Sequence, residues 1–245
     1  MNREKEITYK VNPPLPDFDY NGNLKSYGYQ NLVATLIDIH LSKTNISLGE
    51  ALPGNLAWVL VSMHIEVIKP LKLHDSFVAK TWHVQRRGPF FRRDFEFINE
   101  NGEILFHGTT FSVLLDLTKR AIYLKKELPF ELIEGNEEYT IEATPNFNNR
   151  LDYEMIEKRV VRNSFIDPVK HMNNGKYGEV AYDALFEEEI NNIQKVRRMD
   201  LYFHSEMSLH DEFEVQRSKA DKILVIQLFN KTKDKKSFTI KFEWE

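Results

Sequence analysis

The stretch of this chain most suited to chemistry runs Asn163-Ser164-Phe165-Ile166-Asp167-Pro168-Val169-Lys170-His171-Met172-Asn173-Asn174-Gly175-Lys176-Tyr177. An Asp-Pro pair followed by a polar loop marks a turn, and Asn173 or Asn174 is placed to cap a following helix. Asp167 and His171 therefore stand just before a helix N-terminus, where unpaired backbone N–H groups point outward and can stabilise an anion. The chain has no cysteine, so a thiol nucleophile, thiolate metal sites and disulfides are excluded together. Its catalyst must be an oxygen or nitrogen group. The GxGxxG and GxxxxGK[ST] phosphate loops and the HExxH zinc helix are all missing, which leaves no sequence support for nucleotide, zinc or other cofactor chemistry. A formal charge of −4 gives no general attraction for nucleic acid or an anionic membrane. No apolar run reaches the roughly 20 residues that span a bilayer, and Met1 to Lys10 lacks a secretory signal's apolar stretch, so a cytoplasmic protein is expected.

These residues need elements to hold them. Tyr29, Leu32, Val33, Leu36, Ile37 and Leu41 fall at helical spacing and predict a helix with one buried stripe. From Leu56 to Pro70 the period changes to two, with Val59, Val61, Met63, Ile65 and Val67 on the expected core face of a strand. Strands follow near Ser76 to Val84, Phe91 to Ile98 and Ile104 to Leu115, the last two joined by an Asn101-Gly102 turn. A stretch from Lys125 to about Arg150 lacks periodicity and reads as a connection. The order then repeats: a short strand near Glu157 to Asn163, and a helix on which Tyr177, Val180, Ala181, Ala184 and Leu185 share a face. Strands resume at Lys195 to Glu206, Glu212 to Ser218, Lys222 to Phe229 and Lys236 to Trp244. Leu73-His74-Asp75-Ser76-Phe77 echoes Leu209-His210-Asp211-Glu212-Phe213 at an offset of 136 residues, about one domain. The expectation is an α+β double hot dog. Each of its two domains, 1–135 and 136–245, is a long helix wrapped by an antiparallel sheet, and joined sheet edges relieve each unit's exposed edge.

With Asp167, His171, Met172, Asn173, Asn174 and Tyr177 in register, the loop resembles that of the plant and bacterial acyl-acyl-carrier-protein (acyl-ACP) thioesterases, Asp-x-Asn-x-His-[Val/Met]-Asn-Asn-x-x-Tyr. Trp82 with Arg92-Arg93-Asp94, and Tyr202 with Glu206, are also similar to that family. Two departures stand out: the middle asparagine falls on Val169, and the cysteine that follows the glutamate in plant members falls on Met207. The resemblance implies hydrolysis of a fatty acyl thioester on acyl carrier protein, ending fatty acid synthesis. On this reading Glu206, on a strand facing the loop, orients or deprotonates water. Asp167 and His171 position water and thioester, and N–H groups near Asn173 and Asn174 hold the oxyanion. Direct attack by Asp167 is the other route. Arg86, Arg87, Arg92 and Arg93, with Lys195, Arg197 and Arg198, form a basic cluster that could receive the acidic carrier or its phosphopantetheine arm. Leu32, Val33, Leu36, Ile37, Trp58 and Met63 are where the resemblance places the acyl pocket. Hydrolysis of acyl-coenzyme A, and an acyl-binding module without turnover, are the alternatives, and a homodimer is compatible with either.

Overall fold

Leu32, Val33 and Leu36 give helix α1 (Ser26–Lys43) an apolar stripe that is at most 3% exposed, and a sheet curls round it. The computed structural model describes residues 8–43, 52–130, 139–148 and 150–245, so the expected domain boundary at 135/136 lies outside the described residues. The first half supplies β1 (Leu56–Val67), β2 (Phe77–Arg87), β3 (Phe90–Asn99), β4 (Ile104–Asp116) and the two-residue β5 (Ala121–Ile122). The second supplies β6 (Glu154–Val160), α2 (Asn174–Asp183), a short α3 (Glu187–Asn191), β7 (Val196–Phe203), β8 (Glu212–Ala220), β9 (Ile223–Asn230) and β10 (Lys235–Trp244). All pair antiparallel in one sheet, in the order β2-β3-β4-β1-β7-β10-β9-β8-β6, with β5 on the end of β4. This is the α+β double hot dog.

Strand β1 departs from simple alternation. A bulge between Leu60 and Ser62 shifts its phase, so Met63, Ile65 and Val67 point to the helix as expected, while Val59 is left exposed. Leu56, Trp58 and Leu60 take the inward positions before the bulge. Past the bulge, Ser62 and His64 on the other face are buried as well. Residues 139–148 of the connection cross the outer face and are tied down. Thr140 donates from its N–H and hydroxyl to Asp94, Arg92 donates to the Ile141 carbonyl, and Arg198 donates to that of Glu142.

The two halves meet strand to strand along β1 and β7, where His64 stands directly opposite Asp200. His64 Nδ1 lies 2.8 Å from Asp200 Oδ1, and its Nε2 lies 3.0 Å from the Ser62 hydroxyl. Arg198 reaches both Asp200 and Glu66, at 2.9 and 2.8 Å. Burial raises the Asp200 pKa, but the hydrogen bond and charge of His64 and the charge of Arg198 outweigh it and leave that carboxyl below its ordinary value. A depressed carboxyl adds stability above its unfolded pKa that is lost as pH falls through the folded one. Asp200→Asn is therefore expected to cost about 3 kcal/mol near neutral pH, because it removes the buried carboxylate that His64 and Arg198 share and leaves Arg198 with Glu66 alone. Urea melts of the two proteins should converge as the pH drops below that of an ordinary carboxylate. A difference that persists unchanged into acid would show that the charge is not the cause.

The literal repeat is a structural one. The Lys72 N–H donates to Asp75 Oδ2, and the Ser208 N–H donates to Asp211 Oδ2, both at 2.8 Å. His74 and His210 sit at the same turn position with φ of 77° and 69°.

Candidate active site

The loop before α2 is shaped by one carboxylate oxygen. Asp167 Oδ1 accepts from the Val169 and His171 N–H groups at 3.0 and 3.2 Å, and Lys170 between them takes a left-handed φ of 69°. The Asp167 N–H returns to the His171 carbonyl at 2.9 Å, which closes the loop. Asn173 is the N-cap, its side chain accepting from the Gly175 N–H at 2.9 Å. Opposite stands Glu206, whose Oε2 lies 3.1 Å from His171 Nδ1. Glu206 is not on a strand as expected: β7 ends at Phe203, and Glu206 belongs to the loop beyond. That loop is anchored through its neighbour, since the Met207 N–H donates to the Tyr177 hydroxyl and the Met207 carbonyl accepts from the Met172 N–H, both at 2.9 Å. Tyr177 is buried, which pushes its pKa up to about 12 and keeps it a neutral phenol. Tyr177→Phe would strand the Met207 N–H beside Glu206. A loss of about 1 to 3 kcal/mol in thermal unfolding is expected, and no loss would mean that the loop holds itself.

Asp167, His171, Asn173, Asn174 and Glu206 all line one cleft of about 1110 Å³, large enough for a long flexible ligand. The cleft continues between α1 and the inner face of the first-half sheet, past Ile37, Leu60 and Met63 to Trp58 and Phe91. Leu32, Val33 and Leu36, expected in its wall, turn away into the core. Polar side chains that sequence reasoning passed over also line it, among them Asp17, Gln30 and Asn31. Gln30 donates to the Asn174 carbonyl at 2.7 Å, and burial raises the Asp17 pKa. The expected oxyanion donors divide. The Asn173 N–H is committed to the Phe165 carbonyl at 2.8 Å, and that of Gly175 to the cap, whereas Asn174, first in the helix, has no carbonyl a turn behind it to bind. The expected basic cluster divides as well. Arg92 is buried beneath the connection in a two-pronged pair with Asp94, at 2.7 and 3.1 Å, and cannot meet a carrier. Arg93 lines the cleft from the inner face, and Arg197 and Arg198 pair with Glu245 and Glu66. Arg86 and Arg87 lie at the surface end of β2. Among the described residues no group of histidines and carboxylates could hold a metal ion.

Residues 6–129 match the model of the acyl-ACP thioesterase N-terminal domain, and residues 149–245 match that of the C-terminal domain. The chain belongs to the acyl-ACP thioesterase family. Among solved structures it is similar to an acyl-ACP thioesterase from Bacteroides thetaiotaomicron (TM-score 0.83, 20% identity, 98% of this chain and 97% of that one). It is also similar to the 12:0-ACP thioesterase from Umbellularia californica (TM-score 0.77, 14% identity, 98% and 96%). At these identities the two likenesses concern the fold. No curated protein matches the chain.

The thioesterase carries its own internal control. In the first half, Asp19 Oδ1 accepts from the Asn21 and Asn23 N–H groups at 2.8 Å, and Gly22 has φ 74°. The Leu71 N–H donates to the Tyr29 hydroxyl at 3.0 Å. Each contact has a counterpart around Asp167, Val169, Lys170, His171, Met207 and Tyr177, with the loop offset by 148 residues and the strand end by 136. The first half thus keeps the carboxylate and the turn, but has Asn23 in place of His171 and Pro70 in place of Glu206. Its counterpart of the cleft is a dent of only about 10 Å³, where Ile193, Val196 and Met199 stand in the positions of Ala57, Leu60 and Met63. The signal was in the sequence: Asp19 precedes Tyr29 by the ten residues that separate Asp167 from Tyr177.

Proposed function

We propose that the chain hydrolyses fatty acyl-ACP through Glu206 acting as general base, with His171 orienting it. The carrying observation is the His171–Glu206 pair on the wall of an open cleft, set against a duplicate loop that keeps its aspartate and lacks both partners. One oxygen of Glu206 is held by His171, and the other is left to take a proton from water. The water oxygen bonds to the thioester carbonyl carbon, and the Asn174 N–H at the head of α2 faces the developing oxyanion. As the C–S bond breaks, the proton passes to the departing thiolate, giving free fatty acid and holo-carrier. Asp167 spends one oxygen on the turn, as Asp19 does, which favours a positioning role over direct attack.

The acyl chain lies in the first half, residues 1–135, and the chemistry in the second, residues 136–245. A place at the end of fatty acid synthesis in the cytoplasm follows from this reading; among the described residues no helix is long and apolar enough to cross a membrane. The test is to incubate the purified protein with a ladder of acyl carriers, identify the acids released, and repeat with the same acyl groups on coenzyme A. Preference for coenzyme A would overturn the carrier assignment. Single turnover in oxygen-18 water separates the routes, since label entering the Asp167 carboxylate would rule out simple water attack.

A further inference from the structure

Relative to the seam, β1 begins four residues earlier than β7: Leu60 corresponds to Val196, and Leu56–Val59 extend beyond it. The end of β4 runs alongside this extension, with Leu56 opposite Asp116, and then turns back as β5. Leu115 and Leu117 at this point line the cleft. The turn is fixed by its own residues. Asp116 Oδ1 accepts from the Thr118 and Lys119 N–H groups at 3.0 Å, the Leu117 N–H donates to the Asn55 carbonyl at 3.0 Å, and Asn55 Nδ2 donates to the Thr118 hydroxyl at 2.9 Å.

This rigid hairpin displays a run of cations. Lys119, Arg120, Lys125 and Lys126 are all exposed, interleaved with Leu117, Ile122 and Leu124, which is 72% exposed. Arg86 adjoins them, donating to the Lys126 carbonyl at 3.1 Å, and Arg87 follows it at the end of β2. Among the described residues of these stretches, six cations face two carboxylates, Asp116 and Glu127, on a chain whose formal charge is −4. Such a local reversal of sign beside a ligand cleft steers an anionic partner to the mouth, and exposed aliphatic side chains between cations supply the dry contacts that hold it.

We propose that the β4–β5 hairpin, with residues 123–126, Arg86 and Arg87, is the surface on which the acidic carrier protein docks to hand its thioester into the cleft. The inference rests on the thioesterase reading and moves the docking surface off Arg92 and Arg93. The test uses the full chain carrying Lys119→Glu with Arg120→Glu, Lys125→Glu with Lys126→Glu, or Leu124→Ser. Each variant is assayed on an acyl-ACP and on the same acyl group carried by pantetheine alone. The double charge reversals are expected to lower kcat/KM on the carrier substrate about tenfold or more, through KM, to flatten its dependence on salt, and to leave the pantetheine substrate unchanged. Unchanged carrier kinetics, or an equal loss on both substrates, overturns the proposal. Loss of co-sedimentation with phosphatidylglycerol vesicles while carrier kinetics stay intact also overturns it and assigns the patch to a lipid surface. A parent protein that cleaves neither substrate sinks the thioesterase reading instead. Titration of holo-carrier against parent and variants then still decides the docking surface.

Discussion

Glu206→Gln is expected to lower kcat on an acyl-ACP by about 10²- to 10⁴-fold, the usual contribution of a positioned general base. KM and the melting curve should stay near those of the parent. Glu206 is 60% exposed and the one ion pair of its side chain among the described residues is with His171, so little folding energy depends on it. The glutamine keeps the volume and can still meet His171, but it cannot accept water's proton. Stopped-flow or steady-state release of fatty acid reads the effect. A fall of less than tenfold would remove Glu206 from the proton-transfer step.

The second large effect is at Asp167, where two substitutions should diverge. Asp167→Ala removes the acceptor for the Val169 and His171 N–H groups together, frees Lys170 from its left-handed turn and draws His171 away from Glu206. A loss of about 10²-fold or more in kcat is expected, because displacing a catalytic group by an ångström is costly. Asp167→Asn retains an oxygen at the same place and should recover most of that loss. Equal inactivity of the two variants would make the charge of Asp167 essential, and would restore direct attack as the route.

Much of this was legible because alternation and helical spacing are strong signals where one face is buried. The strands from β2 to β10 fall close to their expected limits, apart from the two-residue β5, and Asn173 caps α2 as its position before the helix suggests. What escaped has physical causes. A bulge adds one residue without any compositional mark, so the inward face of β1 changes at Leu60. Arg92 reads like any cation on a half-solvated strand until a connection with no periodicity of its own is laid over it. Leu32, Val33 and Leu36 are apolar whether they meet a ligand or the core, and only packing distinguishes the two. Backbone donors carry no sequence signature, so the commitment of the Asn173 N–H could not be seen.

The position where His64 meets Asp200 has one more implication. Residues 64 and 200 are separated by the 136 residues of the repeat, so each faces its own counterpart in the other half, as the residue on a two-fold axis does in an isologous dimer. In two identical chains that place would hold histidine against histidine or aspartate against aspartate, neither of which sets opposite charges against each other. A base opposes an acid there because the two corresponding positions carry different residues, and this pairing makes each half prefer the other to a second copy of itself.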